Sequence, residues 1–167
     1  MSERLTKGDV KKIEAEIEER KLVIRPKAIE DVKVTRAQGD LSENFEYHEA
    51  KRFKNQNESR IRYLEKMLKN AQIVDDDSKD DEVGINNTVE VLFEEDNTTE
   101  KYRLVTSIRG DSMKNLVSIE SPIGCALMGK KVGDRVSVKV NDDYSYYLKI
   151  LSIANTGDDE NLEIKKF

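Results

Sequence analysis

The sequence contains very little cysteine and histidine, and it has no tryptophan. Of its 167 residues, one is a cysteine and one is a histidine. The single Cys125 cannot form an internal disulfide, which fits a reducing compartment such as the cytoplasm. One cysteine and one histidine also argue against a zinc site, because zinc in proteins is held by several such ligands together.

Long apolar stretches are missing as well. The chain has no run of about eighteen apolar residues, and no basic segment followed by an apolar one near residue 1. We therefore expect a soluble protein with no secretory signal and no membrane partner. Charged residues make up 38% of the chain and aromatic residues 6%, which predicts an aliphatic core beneath a strongly solvated surface.

The net charge is −5, and the acidic excess lies after residue 75. A protein that binds nucleic acid over a broad surface would have the opposite balance. If this chain meets nucleic acid, we expect it to do so locally or in the company of a larger partner.

The first 75 residues have the periodicity of two long helices. From Thr6 to about Arg36, apolar residues recur at steps of three, four and seven, which marks one stripe of a helix that Thr6 and Asp9 would cap. Pro26 predicts a kink or one displaced hydrogen bond, and Gly39 a helix end. The stripe consists of Val10, Ile13, Ile17, Ile24, Ala28 and Val32.

A second helical pattern runs from about Glu43 to Ala71. Two long helices with narrow apolar seams and a short connection are expected to pair as an antiparallel coiled coil. The predicted seam of the second helix consists of Ala50, Phe53, Asn57, Ile61, Leu64, Leu68 and Ala71.

The period changes after a polar, turn-prone run at 75–81. Apolar residues then alternate, as in Val136, Val138 and Val140, which predicts strands. Ser121-Pro122 and Gly129 are typical of the start and end of a short helix between those strands. We therefore predict an α+β protein with a helical hairpin over 1–75, a linker over 76–83 and a sheet-and-helix domain over 84–167.

Three carboxylates cluster at the predicted turn of the hairpin, namely Asp40, Glu43 and Glu46. One interpretation is purely structural, with Asp40 or Ser42 as the cap of the second helix and Glu43 completing a capping box. The other is that exposed carboxylates share a magnesium ion, which prefers oxygen ligands. One or two carboxylates are too few for a tight site, so they would complete a site beside other acidic groups.

Two segments of this chain resemble a known family. The segment 39–48, Gly-Asp-Leu-Ser-Glu-Asn-Phe-Glu-Tyr-His, is similar to the hairpin-tip motif of the GreA/GreB transcription elongation factors. The segment 121–134, from Ser121-Pro122 to Gly133-Asp134, is similar to the C-terminal motif of the same family. The resemblance covers nearly the whole chain, and it implies an FKBP-like fold for the second domain.

The resemblance also implies a function. In this family the coiled coil enters the secondary channel of RNA polymerase, and tip acids that match Asp40 and Glu43 hold a second Mg²⁺ there. Cleavage of backtracked RNA at its 3′ end would follow by two-metal hydrolysis. The polymerase supplies the catalytic centre, so the chain is not expected to be an enzyme by itself, and we expect a monomer in the cytoplasm.

Other residues near the turn have less definite roles. The resemblance implies that Glu46, Tyr47 and His48 support the turn, and that Arg36, Lys51 and Arg52 contact RNA or polymerase. Glu58 and Glu65 share the helix face of the basic residues, so an ordinary mixed surface is an equal alternative. Phe45 departs from the family pattern, which usually has a small residue there.

Two other functions stay open at this point. A protein of the same fold that plugs the polymerase channel would inhibit transcription, although such relatives tend to have altered tip acids. A coiled-coil adaptor that binds along its seam would not depend on the tip carboxylates.

Overall fold

The computed structural model describes residues 3–39, 44–75, 78–157 and 163–165. Contacts divide the described residues into two compact units, one of residues 10–71 and one of residues 3–9 and 72–165. The first unit is helical and the second contains the main sheet, which confirms the predicted α+β class. Within the described part of the chain, no helix is long and apolar enough to cross a membrane.

The helical unit is built from two antiparallel segments. The first comprises α1 (Lys7–Glu19), a π-helical turn (Arg20–Ile24) and α2 (Arg25–Arg36), and the second is α3 (Phe45–Lys69). In the π-helical turn, the backbone N–H of Arg25 donates to the carbonyl of Arg20. The turn ends two residues before Pro26, which has no N–H to donate, so the predicted disturbance of the helix is confirmed.

The two segments bury a narrow seam, as predicted. Phe53, which the periodicity placed in the seam, is instead 53% exposed, so that part of the prediction is wrong. The interior positions of α3 follow the steps of three and four that keep one face of a helix turned to a neighbour. They are Tyr47, Asn57, Arg60, Ile61, Leu64 and Met67.

Polar side chains are paired within this seam. Arg60, whose side chain is 4% exposed, binds the carboxylate of Glu16, with Nε to Oε2 at 2.8 Å. Arg20 binds the same carboxylate at 2.8 Å and donates to the side chain of Asn57 at 3.0 Å. Burial acts to raise the pKa of Glu16, but the hydrogen bonds and charges of Arg60 and Arg20 outweigh it and lower that pKa.

The second unit contains two sheets. In the smaller one, β1 (Arg4–Leu5) pairs in parallel with β2 (Gln72–Ile73). The larger sheet has the strand order β5-β4-β3-β7-β6, and its pairs are antiparallel except for the parallel pair β4–β5. Its strands are β3 (Asn87–Phe93), β4 (Thr98–Val105), β5 (Leu116–Ser118), β6 (Arg135–Lys139) and β7 (Ser145–Asn155).

Alternation along these strands places one apolar face in the core, as the sequence predicted. In β3, the residues Val89 and Val91 are fully buried. Leu148 and Ile150 of β7 are buried beside them, and the helix α4 (Pro122–Leu127) contributes Leu127.

The segment 121–134 is explained by caps and turns, as predicted, and also by one close backbone approach. Ser121 caps α4, with its Oγ accepting from the N–H of Gly124 at 3.1 Å. A Cβ atom at Gly124 would lie 1.9 Å from the carbonyl oxygen of Ser118, so only glycine permits this approach. Gly129 and Gly133 have positive φ angles.

A buried polar cluster fixes the start of α1 in the second unit. Thr6 and Asp9 cap the helix reciprocally: the N–H of Asp9 donates to Thr6 Oγ1 at 3.1 Å, and the N–H of Thr6 donates to Asp9 Oδ2 at 2.9 Å. This confirms the predicted cap. Asp9 also forms an ion pair with Arg109 and accepts a hydrogen bond from Thr106 at 2.6 Å, and all of these residues are buried.

Candidate functional site at the turn of the hairpin

The segment that connects α2 and α3 carries the candidate acids. Asp40 and Glu43 lie outside the described residues, and the structure describes both ends of the connection up to Gly39 and from Asn44 onward. Gly39 has a φ of +148°, in a region that favours glycine, and it follows α2 as the sequence predicted.

Asn44 joins the two helices beside this connection. Its Oδ1 accepts from the N–H of Tyr47 at 2.9 Å, which makes Asn44 the N-cap of α3. Its Nδ2 donates to the carbonyl of Thr35 in α2 at 2.6 Å. The prediction that Asp40 or Ser42 caps this helix is therefore wrong, because the N-cap position belongs to Asn44. Asn44 was not among the residues predicted for this site, although an asparagine directly before a helix is a signal for an N-cap.

Tyr47 packs at the centre of the described part of the turn. It is 9% exposed, and its ring centroid lies 5.4 Å from that of His48. The guanidinium of Arg36, at the end of α2, lies 5.9 Å from the same centroid, within the range of a cation–π contact. The structure thus brings together the predicted residues Arg36, Tyr47 and His48. Glu46, which was predicted with them, is exposed in the first turn of α3.

Beyond His48, an open groove runs along α3. Lys51 and Arg52 are exposed in this groove, and Arg52 pairs with Glu49 at 2.7 Å. The groove is lined by His48, Lys51, Arg52, Asn55, Gln56 and Ser59.

The two acids on the basic face of α3 are both paired with the first helical segment. Glu58 accepts two hydrogen bonds from Arg25, at 2.8 and 2.9 Å. The hydrogen bond from Arg25 lowers the pKa of Glu58. Glu65 pairs with Lys21 at 2.5 Å. The negative charges of Glu58 and Glu65 are therefore compensated by basic residues of the same hairpin.

A metal site cannot be assembled from the described residues alone. Among them, no group of three or more histidine, cysteine or acidic side chains is placed to hold a metal ion. Asp40 and Glu43 would offer carboxylate oxygens, which suit magnesium, but two carboxylates leave most of its coordination to other groups.

An antiparallel helical hairpin in one unit and a five-stranded mixed sheet in the other define an α+β protein of two units. Residues 3–73 match the family model described as "Transcription elongation factor, N-terminal", and residues 77–155 match "Transcription elongation factor, GreA/GreB, C-term". The chain belongs to the GreA/GreB family of transcription elongation factors.

Two curated relatives agree with this assignment. The transcription elongation factor GreA of Thermoanaerobacter pseudethanolicus is 51% identical over 137 residues, which cover 81% of this chain and 87% of that protein. GreA of Streptococcus thermophilus is 43% identical over 155 residues, which cover 91% of this chain and 95% of the relative. Among solved structures, GreA factor homolog 1 of Thermus thermophilus aligns with a TM-score of 0.43 at 21% identity, over 92% of this chain and 99% of that one.

Proposed function

We propose that this chain is a factor that enters the secondary channel of RNA polymerase and stimulates cleavage of backtracked RNA. Family membership supports a role in transcription elongation, and the motif at 39–48 supports cleavage in particular. The protein would act in the cytoplasm, as a monomer, with polymerase and the RNA 3′ end as its partners. The polymerase would provide the catalytic centre, so the chain would not be an enzyme by itself.

The observation that carries this proposal is the closure of the turn by Asn44. Because Asn44 caps α3 and also binds the carbonyl of Thr35, the helices are tied on both sides of the connection that contains Asp40 and Glu43. Capping of α3 is then already provided without an acid. The carboxylates of Asp40 and Glu43 are therefore better explained by a functional role than by a role in stabilising the fold.

In this function, Asp40 and Glu43 would present carboxylate oxygens to a magnesium ion shared with the polymerase active site. When bound there, magnesium lowers the pKa of a coordinated water and stabilises charge on the RNA phosphate. Tyr47 would hold the turn through its contacts with Arg36 and His48. Lys51 and Arg52, in the open groove, would attract the phosphates of the extruded RNA segment.

The test is RNA cleavage in a halted, backtracked elongation complex. We expect the wild-type chain to release 3′ RNA fragments. Asp40→Asn and Glu43→Gln keep the size of each side chain but remove its charge, and each is expected to slow release by about 100-fold, the effect of losing one transition-state contact. Binding of the variants to polymerase is measured in parallel and is expected to be unchanged.

The matched controls are Asp31→Asn and Glu30→Gln, since both residues are exposed on α2. They remove the same charges outside the turn and should leave the cleavage rate unchanged. If the wild-type chain blocks nucleotide addition without releasing fragments, the chain plugs the channel and the proposal fails. If it does not bind polymerase at all, an adaptor function replaces it.

A further inference from the structure

Five aromatic rings lie close together on the main sheet. The chain has six tyrosines and four phenylalanines. Of these ten rings, one is at the end of β3, one is in β4 and three are at or just before the start of β7. They are Phe93, Tyr102, Tyr144, Tyr146 and Tyr147.

Four of the rings form a continuous row. The ring centroids of Phe93 and Tyr102 are 6.3 Å apart and meet edge to face. Tyr146 lies 5.8 Å from Phe93 on the other side, and Tyr144 lies 6.1 Å from Tyr146. Tyr144 is 47% exposed, so the row runs from the edge of the core out to solvent.

Acidic side chains border the outer end of this row. A cavity of about 150 Å³, here called the tyrosine cradle, is lined by Phe93, Glu95, Asp96, Tyr144, Tyr146 and Tyr147. The hydroxyl of Tyr144 donates to the carboxylate of Glu95, at 3.3 Å to either oxygen. Within the described part of the chain, neither Glu95 nor Asp96 is paired with a basic side chain.

The electrostatics of the cradle favour a cation. Desolvation and the charge of Glu95 raise the pKa of the Tyr144 hydroxyl. Hydrogen bonds from Thr98 lower the pKa of Asp96, so this carboxyl is charged at neutral pH. Aromatic faces carry negative partial charge and attract cations in the same way as the two carboxylates do.

One of the rings that line the cradle, that of Tyr147, already holds a guanidinium of this chain. Arg135 lies over the ring of Tyr147, 3.7 Å from its centroid. Its Nε also donates to both carboxylate oxygens of Glu94, at 3.0 Å each. One tyrosine ring and one glutamate are therefore enough to bind an arginine side chain in this protein. The cradle has several rings and the two carboxylates of Glu95 and Asp96.

We propose that the tyrosine cradle binds an arginine side chain presented by a partner protein. A planar guanidinium can stack on a ring and bind a carboxylate at the same time, whereas a lysine ammonium does not stack. RNA is disfavoured as an occupant, because the carboxylates of Glu95 and Asp96 line the cradle without a basic partner among the described residues and repel phosphates. This surface lies in the sheet unit and is independent of the carboxylates of the hairpin turn.

The experiment is an NMR titration of the full ¹⁵N-labelled chain with the peptide acetyl-Gly-Arg-Gly-amide. We expect the amide signals of residues 94–96 and 144–147 to shift with increasing peptide. The same peptide with citrulline in place of arginine is the matched neutral ligand, and its affinity should be at least about fivefold lower. Uridine monophosphate, as a probe for base stacking, should leave these signals in place.

Two variants locate the binding within the cradle. Tyr144→Leu removes a ring and Glu95→Gln removes a charge, and each should weaken arginine-peptide binding by about fivefold. Tyr63→Leu and Glu14→Gln, at exposed positions of the helical unit, should have no effect. Glu95→Gln leaves every ring in place, so it tests the proposal even if Tyr144→Leu disturbs the fold.

Three results would each overturn the proposal. The first is that the arginine peptide leaves the cradle signals in place. The second is that the citrulline peptide binds as tightly as the arginine peptide, which would show that the positive charge does not contribute to binding. The third is a shift of the same signals by uridine monophosphate, which would make the cradle a base-stacking surface.

Discussion

Asn44 satisfies backbone groups on both helices of the hairpin with one side chain. Its carbonyl oxygen accepts from the first turn of α3, and its amide nitrogen donates to the last turn of α2. Serine or aspartate would also cap a helix, but neither has an amide group that donates across the turn. This double role explains why asparagine in particular stands at this position.

We expect Asn44→Ala to lower the free energy of unfolding of the hairpin by about 1–2 kcal/mol, through loss of the cap and of the bond to Thr35. The most direct measurement is hydrogen exchange of the Tyr47 amide, which should become at least about fivefold faster. Asn55→Ala, on the exposed part of α3, is the matched control. Equal exchange rates in the two variants would show that Asn44 does not hold the turn.

At the scale of the helices, the ion pairs of the hairpin differ in burial and therefore in their expected contributions. The side chains of Glu16 and Arg60 are 22% and 4% exposed, whereas those of Glu58 and Arg25 are 29% and 34% exposed. Removing one partner of a buried ion pair leaves the charge of the other partner uncompensated in an environment of low polarity. The more exposed pair is screened by water.

Glu16→Ala is accordingly expected to destabilise the hairpin by about 3 kcal/mol. Glu58→Ala, the matched change in the more exposed pair, should cost less than about 1 kcal/mol. Urea unfolding followed by helical circular dichroism measures both. A larger loss for Glu58→Ala would contradict the ranking by burial.

The same carboxylates make the stability of the hairpin dependent on pH. The pKa values of Glu16 and Glu58 in the folded chain lie below the ordinary 4.5. Between the folded and unfolded pKa values, the unfolded chain binds more protons, so stability rises with pH in this window. The contribution is complete above about pH 4.5 and is lost as the pH falls through the folded values.

Thermal unfolding between about pH 3 and pH 6 measures this effect. The double variant Glu16→Gln/Glu58→Gln should reduce the fall in melting temperature toward low pH. The double variant Glu14→Gln/Glu18→Gln, at exposed positions of α1, should keep the wild-type slope. Equal slopes in the two double variants would show that the paired carboxylates are not responsible.

The local elements could be read from the sequence, and the pairings between distant residues could not. Periodicity placed Ile13, Ile61 and Leu64 correctly in the seam, because burial follows the helical repeat. It failed at Phe53, which is exposed although it lies seven residues before the buried Arg60 and so on nearly the same helix face, because the repeat does not show which turns of that face the partner segment covers.

Two features of the second unit gave no sequence signal. The strands β1 and β2 have two residues each, too few to show alternation. The pair of Asp9 and Arg109 joins residues 100 positions apart, and nothing local to either residue indicates the other. Polar residues buried through long-range pairing are invisible to pattern analysis.

For the whole molecule, the family assignment rests on matches to both units, whereas the proposed cleavage function would depend on the few residues of the hairpin turn. The proposed function makes Asp40 and Glu43 partners of a shared magnesium ion. A metal ligand differs from a mere contact residue in one measurable respect. Its loss weakens metal binding, so that more metal is needed for the same rate.

The decisive measurement is the rate of RNA cleavage as a function of magnesium concentration, with saturating amounts of wild type or Asp40→Asn. We predict that Asp40→Asn raises the magnesium concentration for half-maximal rate by at least about tenfold, and that high magnesium restores part of the rate. A lower rate at every concentration, with the same half-maximal magnesium, would contradict the metal-sharing role of the turn.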